Sequence, residues 1–324
     1  MSNLKFVVYN SVMEFANQQA NSDNLEFDEI SAVRIAKKSD APAITRLLNG
    51  TRFTHYHVDW RLPVDWLGDA GFVVAAAAAQ EAQVPRLLPP EDKLLACLAV
   101  TADPPPAAWV RLTAVSPHAD PQHALMQLFA AVTAHLRKTA VTEVGWLVLN
   151  PWPLSLLPAL GFTEFSSIET YVKNDLALPL WQPVPDLRIR PVVAEDFAGL
   201  AALETAVFEP LWRLSKETLR LAWREAVSFD VAYLGERLVG YQISSGSRLG
   251  AHLIRLTIDP NFQGHGIGTA IFAHAIQVYK RRGFQHITLN TQVDNDASHR
   301  LYKKFGFSPS GTQMPLWVWR LNDE

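Results

Sequence analysis

The chain has 324 residues, which predicts about two domains, and its 48% hydrophobic and 19% charged residues are ordinary for a globular protein with a sizeable core. The net charge of −3 argues against nucleic acid or an anionic membrane as a partner. Cys97 is the single cysteine, so the composition excludes an intramolecular disulfide and a thiolate metal cluster and favours a reducing compartment.

Two features of the sequence bear on where the protein works. Its first residues lack the charged lead, the long apolar core and the small-residue cleavage site of a signal peptide. The longest apolar stretch, GFVVAAAAA at 71–79, is shorter than the ~20 residues that cross a bilayer. We therefore expect a cytoplasmic monomer or homodimer that binds neither nucleic acid nor membrane.

The sequence contains two copies of one pattern, joined by a linker. Segments 32–48 and 186–203 both run from a short strand through an acidic turn into an amphipathic helix. The dipeptide Gly-Phe stands near the end of both copies, at 161–162 and at 306–307, and the proline-rich stretch 174–186 predicts a linker between them. Similarity over such a length indicates duplication and two domains.

The two copies differ at the positions that suggest chemistry. We assign residues 1–178 to a degenerate first domain and residues 187–324 to a second domain. The first copy has TAVSPHADPQHA where the second has TIDPNFQGHGIG, so it lacks the glycines. It also has Leu157 opposite Tyr302, and two prolines interrupt the expected helix start. These losses favour a structural role for the first domain.

Three glycines within five residues, Gly264, Gly266 and Gly268, stand between a strand-like segment and a helical pattern. Glycine lets a ligand approach the backbone, and a helix N-terminus offers free N–H groups to an anion, so we expect a phosphate or diphosphate there. No lysine follows the last glycine, which excludes a P-loop. The GxGxG spacing, with no acidic residue between Asp259 and Asp294, excludes the dinucleotide fingerprint. A tight turn without a ligand is the alternative.

Two segments of the second copy resemble the signatures of the GNAT superfamily of N-acetyltransferases. QGHGIG at 263–268 is similar to its Q-x-x-G-x-G motif, and NDASHRLYKKFGF at 295–307 resembles its second signature, which ends in L-Y-x-x-x-G-F. The resemblance covers 187–324 and reaches the first half only through the repeat. It implies an α/β fold of two tandem domains, each with a mixed, mostly antiparallel sheet flanked by helices. The tandem organisation is also similar to that of mycothiol synthase.

The resemblance implies that the second domain binds acetyl-CoA, or another acyl-CoA, in a cleft between two splayed central strands. One strand would pair with the pantetheine arm, and the glycine loop would wrap the diphosphate. Asn295 and Ser298 would border the other side of the cleft, and Tyr302 would point its hydroxyl toward the thioester sulfur. The strand residues are Leu256, Thr257 and Ile258, and the loop residues are Gln263, Gly264, His265, Gly266, Ile267, Gly268 and Thr269.

Several of these residues also have a structural interpretation. Asn295 is a good helix N-cap, and Tyr302 could be an ordinary half-buried aromatic at a helix–sheet contact. The general base is expected on the acceptor side. Glu209 lies in VFEPLW, a break between two helical stretches where the family places its acceptor loop, and Glu204 and Asp230 are weaker candidates.

The function that the resemblance implies is an N-acyltransferase. It would move an acetyl group from acetyl-CoA to a primary amine of a small molecule, by direct transfer in a ternary complex and without a metal. Alignment of the two reactants lowers the barrier, a backbone N–H stabilises the oxyanion, and a carboxylate accepts the proton of the amine. The alternative is a non-catalytic acyl-CoA sensor, and the presence of Tyr302 opposite Leu157 favours the enzyme.

Overall fold

The chain forms two compact units. One contains the residues up to Phe165 together with those from Leu316 onward, and the other contains Ser166–Pro315. Each unit is a mixed sheet with helices against it, which confirms the predicted α/β fold. The computed structural model of the protein describes residues 27–77, 93–248 and 250–321.

The described residues of the first unit form two α-helices and one mixed sheet. Its elements are β1 (Ile30–Ile35), α1 (Ala41–Asn49), β2 (Phe53–Tyr56), β3 (Phe72–Ala77), β4 (Leu94–Ala102), β5 (Ala107–Val115), α2 (Pro121–Leu136), β6 (Glu143–Leu147) and the end of β13 (Ser308–Arg320). The spatial order is β1-β3-β4-β5-β6-β13, and β2 also pairs with β5. All of these pairs are antiparallel except β5–β6.

The second unit follows the same plan. Its elements are β7 (Thr163–Lys173), β8 (Leu187–Pro191), α3 (Phe197–Val207), α4 (Lys216–Glu225), β9 (Ser228–Leu234), β10 (Arg237–Ser247), β11 (Gly250–Ile258), α5 (Ile267–Arg281), β12 (Ile287–Gln292) and α6 (Asp296–Lys304). The spatial order is β7-β12-β11-β10-β9-β8. Among these described pairs, β11–β12 is parallel and the others are antiparallel.

The last strand of each sequence copy joins the sheet of the compact unit that contains most of the other copy. In β7, Ile168–Lys173 pair with β12, and in β13, Leu316–Arg320 pair with β6. The compact units therefore divide the chain at 165/166 and at 315/316, while the predicted limits of 178 and 187 follow the sequence repeat.

A side-chain arrangement at the start of each unit preserves the duplication. Arg34 donates two hydrogen bonds to Asp40 at 2.7 and 2.9 Å, and Arg190 donates two to Asp196 at 2.7 and 2.8 Å. In both units the same carboxylate accepts the backbone N–H three residues earlier. Both copies thus turn from their first strand into their first helix in the same way.

Helix α5 packs on the second sheet through the apolar stripe that the sequence predicts. Its buried residues recur at helical spacing and include Ile267, Ile271, Phe272, Ile276 and Tyr279. The stripe packs the N-terminus of α5 beside the end of β11, where a methyl group at Gly268 would lie 3.6 Å from the Ile258 side chain. None of the described helices combines the length and the apolar character needed to span a membrane.

Candidate functional site

Strands β11 and β12 lie side by side for three residue pairs and then part. Ala251–Leu253 pair with Ile287–Leu289, and β11 continues to Ile258 with β10 on its other side. The register between β10 and β11 shifts at Ile254, the extra residue of a β-bulge, and bulges bend a strand away from its neighbour. Among the described strands none pairs with β11 beyond Leu253 on the side of β12, so this stretch is an open edge.

Backbone groups of β11 point into the open edge at alternate residues. The N–H of Asp259 donates to a carbonyl of β10 at 2.9 Å. Backbone groups alternate along an antiparallel ladder, so Thr257 also turns toward β10. Leu256 and Ile258 therefore turn their N–H and C=O groups to the open edge. The side-chain amide of Gln263 donates to the Ile258 carbonyl at 3.2 Å.

Helix α5 begins without a side-chain cap. Its N-cap is Gly266, with φ of +79°, and Gly264 has φ of +80°. The N–H of Ala270 donates to the Gly266 carbonyl at 3.0 Å, which leaves the N–H groups from Gly266 to Thr269 without partners inside the helix. Helices α2, α4 and α6 each have a side chain that bonds their first turn. The bare end of α5 thus offers unpaired helix N–H groups and the positive end of a helix dipole, which suit an anion.

Gly264 and Gly266 allow the loop to adopt positive φ angles, and neither position is crowded by neighbouring atoms. A methyl group at Gly264 would meet no atom within 4 Å, and one at Gly266 would meet the Val184 side chain at 3.5 Å. The positive φ at these positions, which disfavours other residues by about 1–2 kcal/mol, is the reason for glycine. Both positions have room for a side chain, so backbone conformation and not crowding calls for glycine there.

A pocket of about 260 Å³ adjoins the N-terminus of α5. The predicted linker forms one wall of it, with Trp181 at one end, and Lys304 of α6 adds a positive charge. His265, Gly266 and Thr269 line it from the glycine loop. A cation, an aromatic ring and bare N–H groups suit an anion that carries a planar group.

Tyr302 on α6 is buried, with 6% of its surface exposed. The ring centroids of Phe272 and Tyr171 lie 5.9 and 6.1 Å from its own. Burial raises the pKa of Tyr302 to about 12, and a hydrogen bond with the Ser298 side chain opposes part of the rise. The phenol therefore stays protonated at neutral pH and can act as a hydrogen-bond donor.

Asn295 caps α6, as the sequence predicts. Its side-chain oxygen accepts the N–H of Ser298 at 3.1 Å. Both residues follow directly after β12, the second of the two strands that part. The cap orients the helical turn from which Tyr302 projects.

Strand β7 supplies two side chains to the cluster around α6 that the sequence analysis missed. The Tyr171 hydroxyl donates to Glu169 at 3.1 Å, and a ring nitrogen of His299 lies 2.8 Å from the same carboxylate. These β7 residues are far from both sequence signatures. Only the register of β7 with β12, which sets Tyr171 opposite Leu289, brings them to α6.

Glu204 holds the loop between α3 and α4 against the sheet. It is 1% exposed and accepts hydrogen bonds from the Arg255 guanidinium, the Tyr241 hydroxyl and the Leu214 N–H, the last at 2.7 Å. Arg255 also donates to the Trp212 carbonyl. Since its oxygens are engaged in an ion pair, Glu204 is a structural carboxylate and a poor general base.

The two remaining base candidates lie in different surroundings. Glu209 is exposed at the start of the 3₁₀ turn Pro210–Trp212. Asp230 is buried, and burial tends to raise its pKa, but hydrogen bonds from His274 and Ser228 hold the pKa below the ordinary value. The described residues contain no group of three or more His, Cys, Asp or Glu side chains placed to hold a metal ion.

Sequence comparisons with known proteins match the part of the chain that contains this site. A family model described as "Acetyltransferase (GNAT) family" matches residues 197–307. The chain is 30% identical over 147 residues to an N-acetyltransferase of Streptomyces griseus, which covers 39% of this chain and 75% of the relative. It is 23% identical over 120 residues to the ribosomal protein bS18-alanine N-acetyltransferase of Escherichia coli strain K12, covering 34% and 80%. It is 32% identical over 75 residues to N-alpha-acetyltransferase 30 of Schizosaccharomyces pombe, covering 23% of this chain and half of that relative.

Solved structures extend the likeness to both units. A tandem GNAT protein from the clavulanic acid biosynthesis pathway has a TM-score of 0.58 at 14% identity, covering 90% of this chain and 100% of its own. A GCN5-related N-acetyltransferase from Sphaerobacter thermophilus has a TM-score of 0.54 at 17% identity, covering 90% and 97%. At these identities the structures show the fold, and the relative from Streptomyces griseus adds the sequence relationship. The chain belongs to the GNAT family of acetyltransferases.

Proposed function

We propose that the second unit transfers an acetyl group from acetyl-CoA to the primary amine of a small molecule, by direct transfer in a ternary complex. The observation that carries this proposal is the open edge of β11 beside the bare N-terminus of α5, where a methyl group at Gly268 would lie 3.6 Å from the Ile258 side chain. An extended arm with amide groups can pair with the edge, and a diphosphate can accept the N–H groups from Gly266 to Thr269. Acyl-CoA contains both groups in one molecule.

The open edge also supplies an oxyanion donor. The amine nitrogen attacks the thioester carbonyl carbon, a C–N bond forms, and the carbonyl oxygen takes up negative charge. The N–H of Leu256 or of Ile258, which face the edge, stabilises that oxygen. The C–S bond then breaks, and coenzyme A leaves as a thiolate.

Two side chains are proposed to transfer protons, one as a general acid and one as a general base. Tyr302, whose raised pKa keeps the phenol protonated, donates a hydrogen bond to the departing sulfur and protonates the thiolate, and the phenolate then takes a proton from solvent. Glu209, exposed in the loop between α3 and α4, accepts the proton of the attacking amine directly or through a water. The remaining part of the rate enhancement comes from holding the two reactants in line.

The acceptor is proposed to bind beside the loop between α3 and α4. Arg255 and Glu204 anchor that loop at Trp212 and Leu214, so its shape is set before the acceptor arrives. A fixed wall favours a small amine that fits as a whole. The E. coli relative is named for the alanine of a ribosomal protein, which makes the N-terminal amine of a peptide the competing acceptor.

A thiol-release assay with acetyl-CoA and two acceptor panels tests the proposal. One panel contains small primary amines, including amino sugars and amino acid amides, and the other contains peptides with N-terminal alanine. We expect higher kcat/KM on the small amines. Turnover on the peptides alone would contradict the proposed acceptor class, and tight acetyl-CoA binding without turnover on either panel would contradict the enzyme and support a sensor.

A further inference from the structure

The first unit has a counterpart of the open edge along β5, and strand β2 of the same unit pairs with that edge. β5 and β6 run parallel from Ala107 to Trp109, as β11 and β12 do before they part, and β5 then continues to Val115. We propose that β2 occupies in the first unit the place of the extended arm of acyl-CoA, so that the chain binds one acyl-CoA, in its second unit. The inference rests on the function proposed above for the second unit.

Strand β2 lies on the edge of β5 that β6 leaves. A strand has two edges, and β4 holds the other edge of β5 along this whole stretch. β2 pairs Phe53 with Val115 and Tyr56 with Leu112, so the edge on the side of β6 is the one available to it. In the second unit this is the side on which β11 has no partner among the described strands beyond Leu253.

The pairing with β2 extends along the edge of β5 up to the parallel pair with β6. The N–H of His57 donates to the Arg111 carbonyl at 2.8 Å, which adds one residue to the ladder. A ring nitrogen of His55 lies 3.2 Å from the carbonyl of Val110, the residue between the ladder and the parallel pair. Since these backbone groups are already bonded, an extended ligand could enter only by displacing β2.

A tryptophan on the far side holds β2 in place. The indole N–H of Trp152 donates to the Thr54 carbonyl at 2.8 Å, and its ring meets the Phe53 ring edge-on at 5.6 Å. Trp152 follows Asn150, the sequence counterpart of Asn295, so it stands where the second unit begins α6. β2 is therefore packed between β5 and a segment that has lost its helix.

The anion site is also filled in the first unit. The N-cap of α2 is Asp120, whose carboxylate accepts the N–H of His123 at 2.7 Å, and Pro121 in the first helical position has no N–H to offer. Gly266 occupies the N-cap position of α5. A carboxylate at this position uses the donors that a diphosphate needs and repels its charge. Two independent features of the first unit thus replace the two parts of acyl-CoA.

Hydrogen–deuterium exchange on the full chain, with CoA as the probe, tests the inference together with calorimetric stoichiometry. We expect one CoA per chain and slower exchange at 263–269 after CoA is added. We also expect slow exchange at 53–57 in the free protein, unchanged by CoA. A second equivalent of CoA, a CoA-dependent change at 111–124, or fast exchange at 53–57 in the free protein would overturn the inference.

The variant Gly266→Asp separates this inference from the proposed function. It gives α5 the carboxylate that α2 has, and Gly266→Asn is the control of similar shape without the charge. We expect Gly266→Asp to bind CoA about 100-fold more weakly than the wild type. Exchange changes at 111–124 when CoA is added to this variant would overturn the inference. If CoA fails to protect 263–269 of the wild type, the proposed function is wrong, and the exchange at 53–57 still decides whether β2 fills its edge.

Discussion

Glu204 and Arg255 form a buried ion pair that ties the loop between α3 and α4 to the strand of the open edge. The side chains are 1% and 13% exposed, and the Arg255 guanidinium also lies 3.7 Å from the centroid of the Phe208 ring. The pair therefore couples the position of the proposed acceptor wall to the strand proposed to hold the acyl group.

Removing the charge of Glu204 should destabilise the protein and weaken acceptor binding. Glu204→Gln leaves the Arg255 guanidinium buried without its carboxylate, which lowers the free energy of unfolding by about 3 kcal/mol. We expect the KM for the amine to rise more than the Kd for acetyl-CoA, because the loop and not the edge loses its anchor. Urea unfolding and steady-state kinetics measure the two effects. The control is Glu236→Gln, in the exposed turn between β9 and β10. If both variants lost the same free energy of unfolding, the prediction would be wrong.

A carboxylate at the start of α5 should weaken acetyl-CoA binding strongly. Gly266→Asp places a negative charge among the N–H groups proposed for the diphosphate, and we expect its Kd to rise about 100-fold, against about 10-fold for Gly266→Asn. Calorimetry measures both. Gly235 has φ of +55° in the β9–β10 turn, so Gly235→Asp tests the effect of backbone strain alone. Equal affinities of the Asp and Asn variants would contradict a diphosphate at this position.

Loss of the Tyr302 hydroxyl should slow turnover without weakening acetyl-CoA binding. We expect Tyr302→Phe to lower kcat by about 100-fold and to leave the Kd within about threefold. Because the pKa of Tyr302 is about 12, wild type and variant should have the same alkaline limb of kcat below pH ~10. The matched control is Tyr233→Phe, because the Tyr233 hydroxyl donates to Asp196, the residue before α3. Unchanged kcat in Tyr302→Phe would remove this residue from the mechanism.

The acidic limb of the pH profile should depend on Glu209. If its carboxylate accepts the amine proton, Glu209→Gln lowers kcat/KM by about 100-fold and removes the acidic limb. Glu217→Gln, an exposed residue in the first turn of α4, controls for a general change of surface charge. A Glu209→Gln variant that keeps the acidic limb would show that another group or solvent is the base.

The local parts of the site could be predicted from the sequence. The spacing of the glycines predicts a helix that begins without a side-chain cap, and the structure has Gly266 as the N-cap of α5. Asn295 predicts the cap of α6, which is confirmed. These features depend on residues within a few positions of one another, where a single segment of sequence contains the whole signal.

Features that depend on distant contacts could not be predicted in the same way. The ion pair of Glu204 and Arg255, and the placement of Glu169 beside α6, each join residues far apart in the chain. The four residues of β2 have no pattern that distinguishes them from a loop, and their partner on β5 is set by which edge is open. The missing loop glycines of the first copy indicated that this copy had lost its ligand. They did not indicate that a strand takes the place of the ligand.

The residue His55 makes the packing of β2 dependent on pH. Burial lowers the pKa of His55 to about 4, and the bond to the Val110 carbonyl opposes only part of the shift. In the unfolded chain a histidine titrates near 6.5. Between pH ~6.5 and ~4 the unfolded state therefore binds a proton that the folded state does not, so the free energy of unfolding falls as the pH falls through this window.

The expected loss from this single histidine is roughly 3 kcal/mol between pH 7 and 4, and about 2 kcal/mol of it falls between pH 7 and 5. His57, the next histidine along the chain, has its pKa lowered by burial and by the nearby Arg111 charge, so it adds to the slope in the same direction. Urea unfolding at pH 7 and pH 5 should show a smaller loss for His55→Gln than for the wild type. For His118→Gln, a change at an exposed residue, the free energy of unfolding should fall as much between pH 7 and pH 5 as it does for the wild type. If His55→Gln also loses as much, His55 is protonated in the folded protein, and the packing of β2 against β5 does not depend on its neutral form.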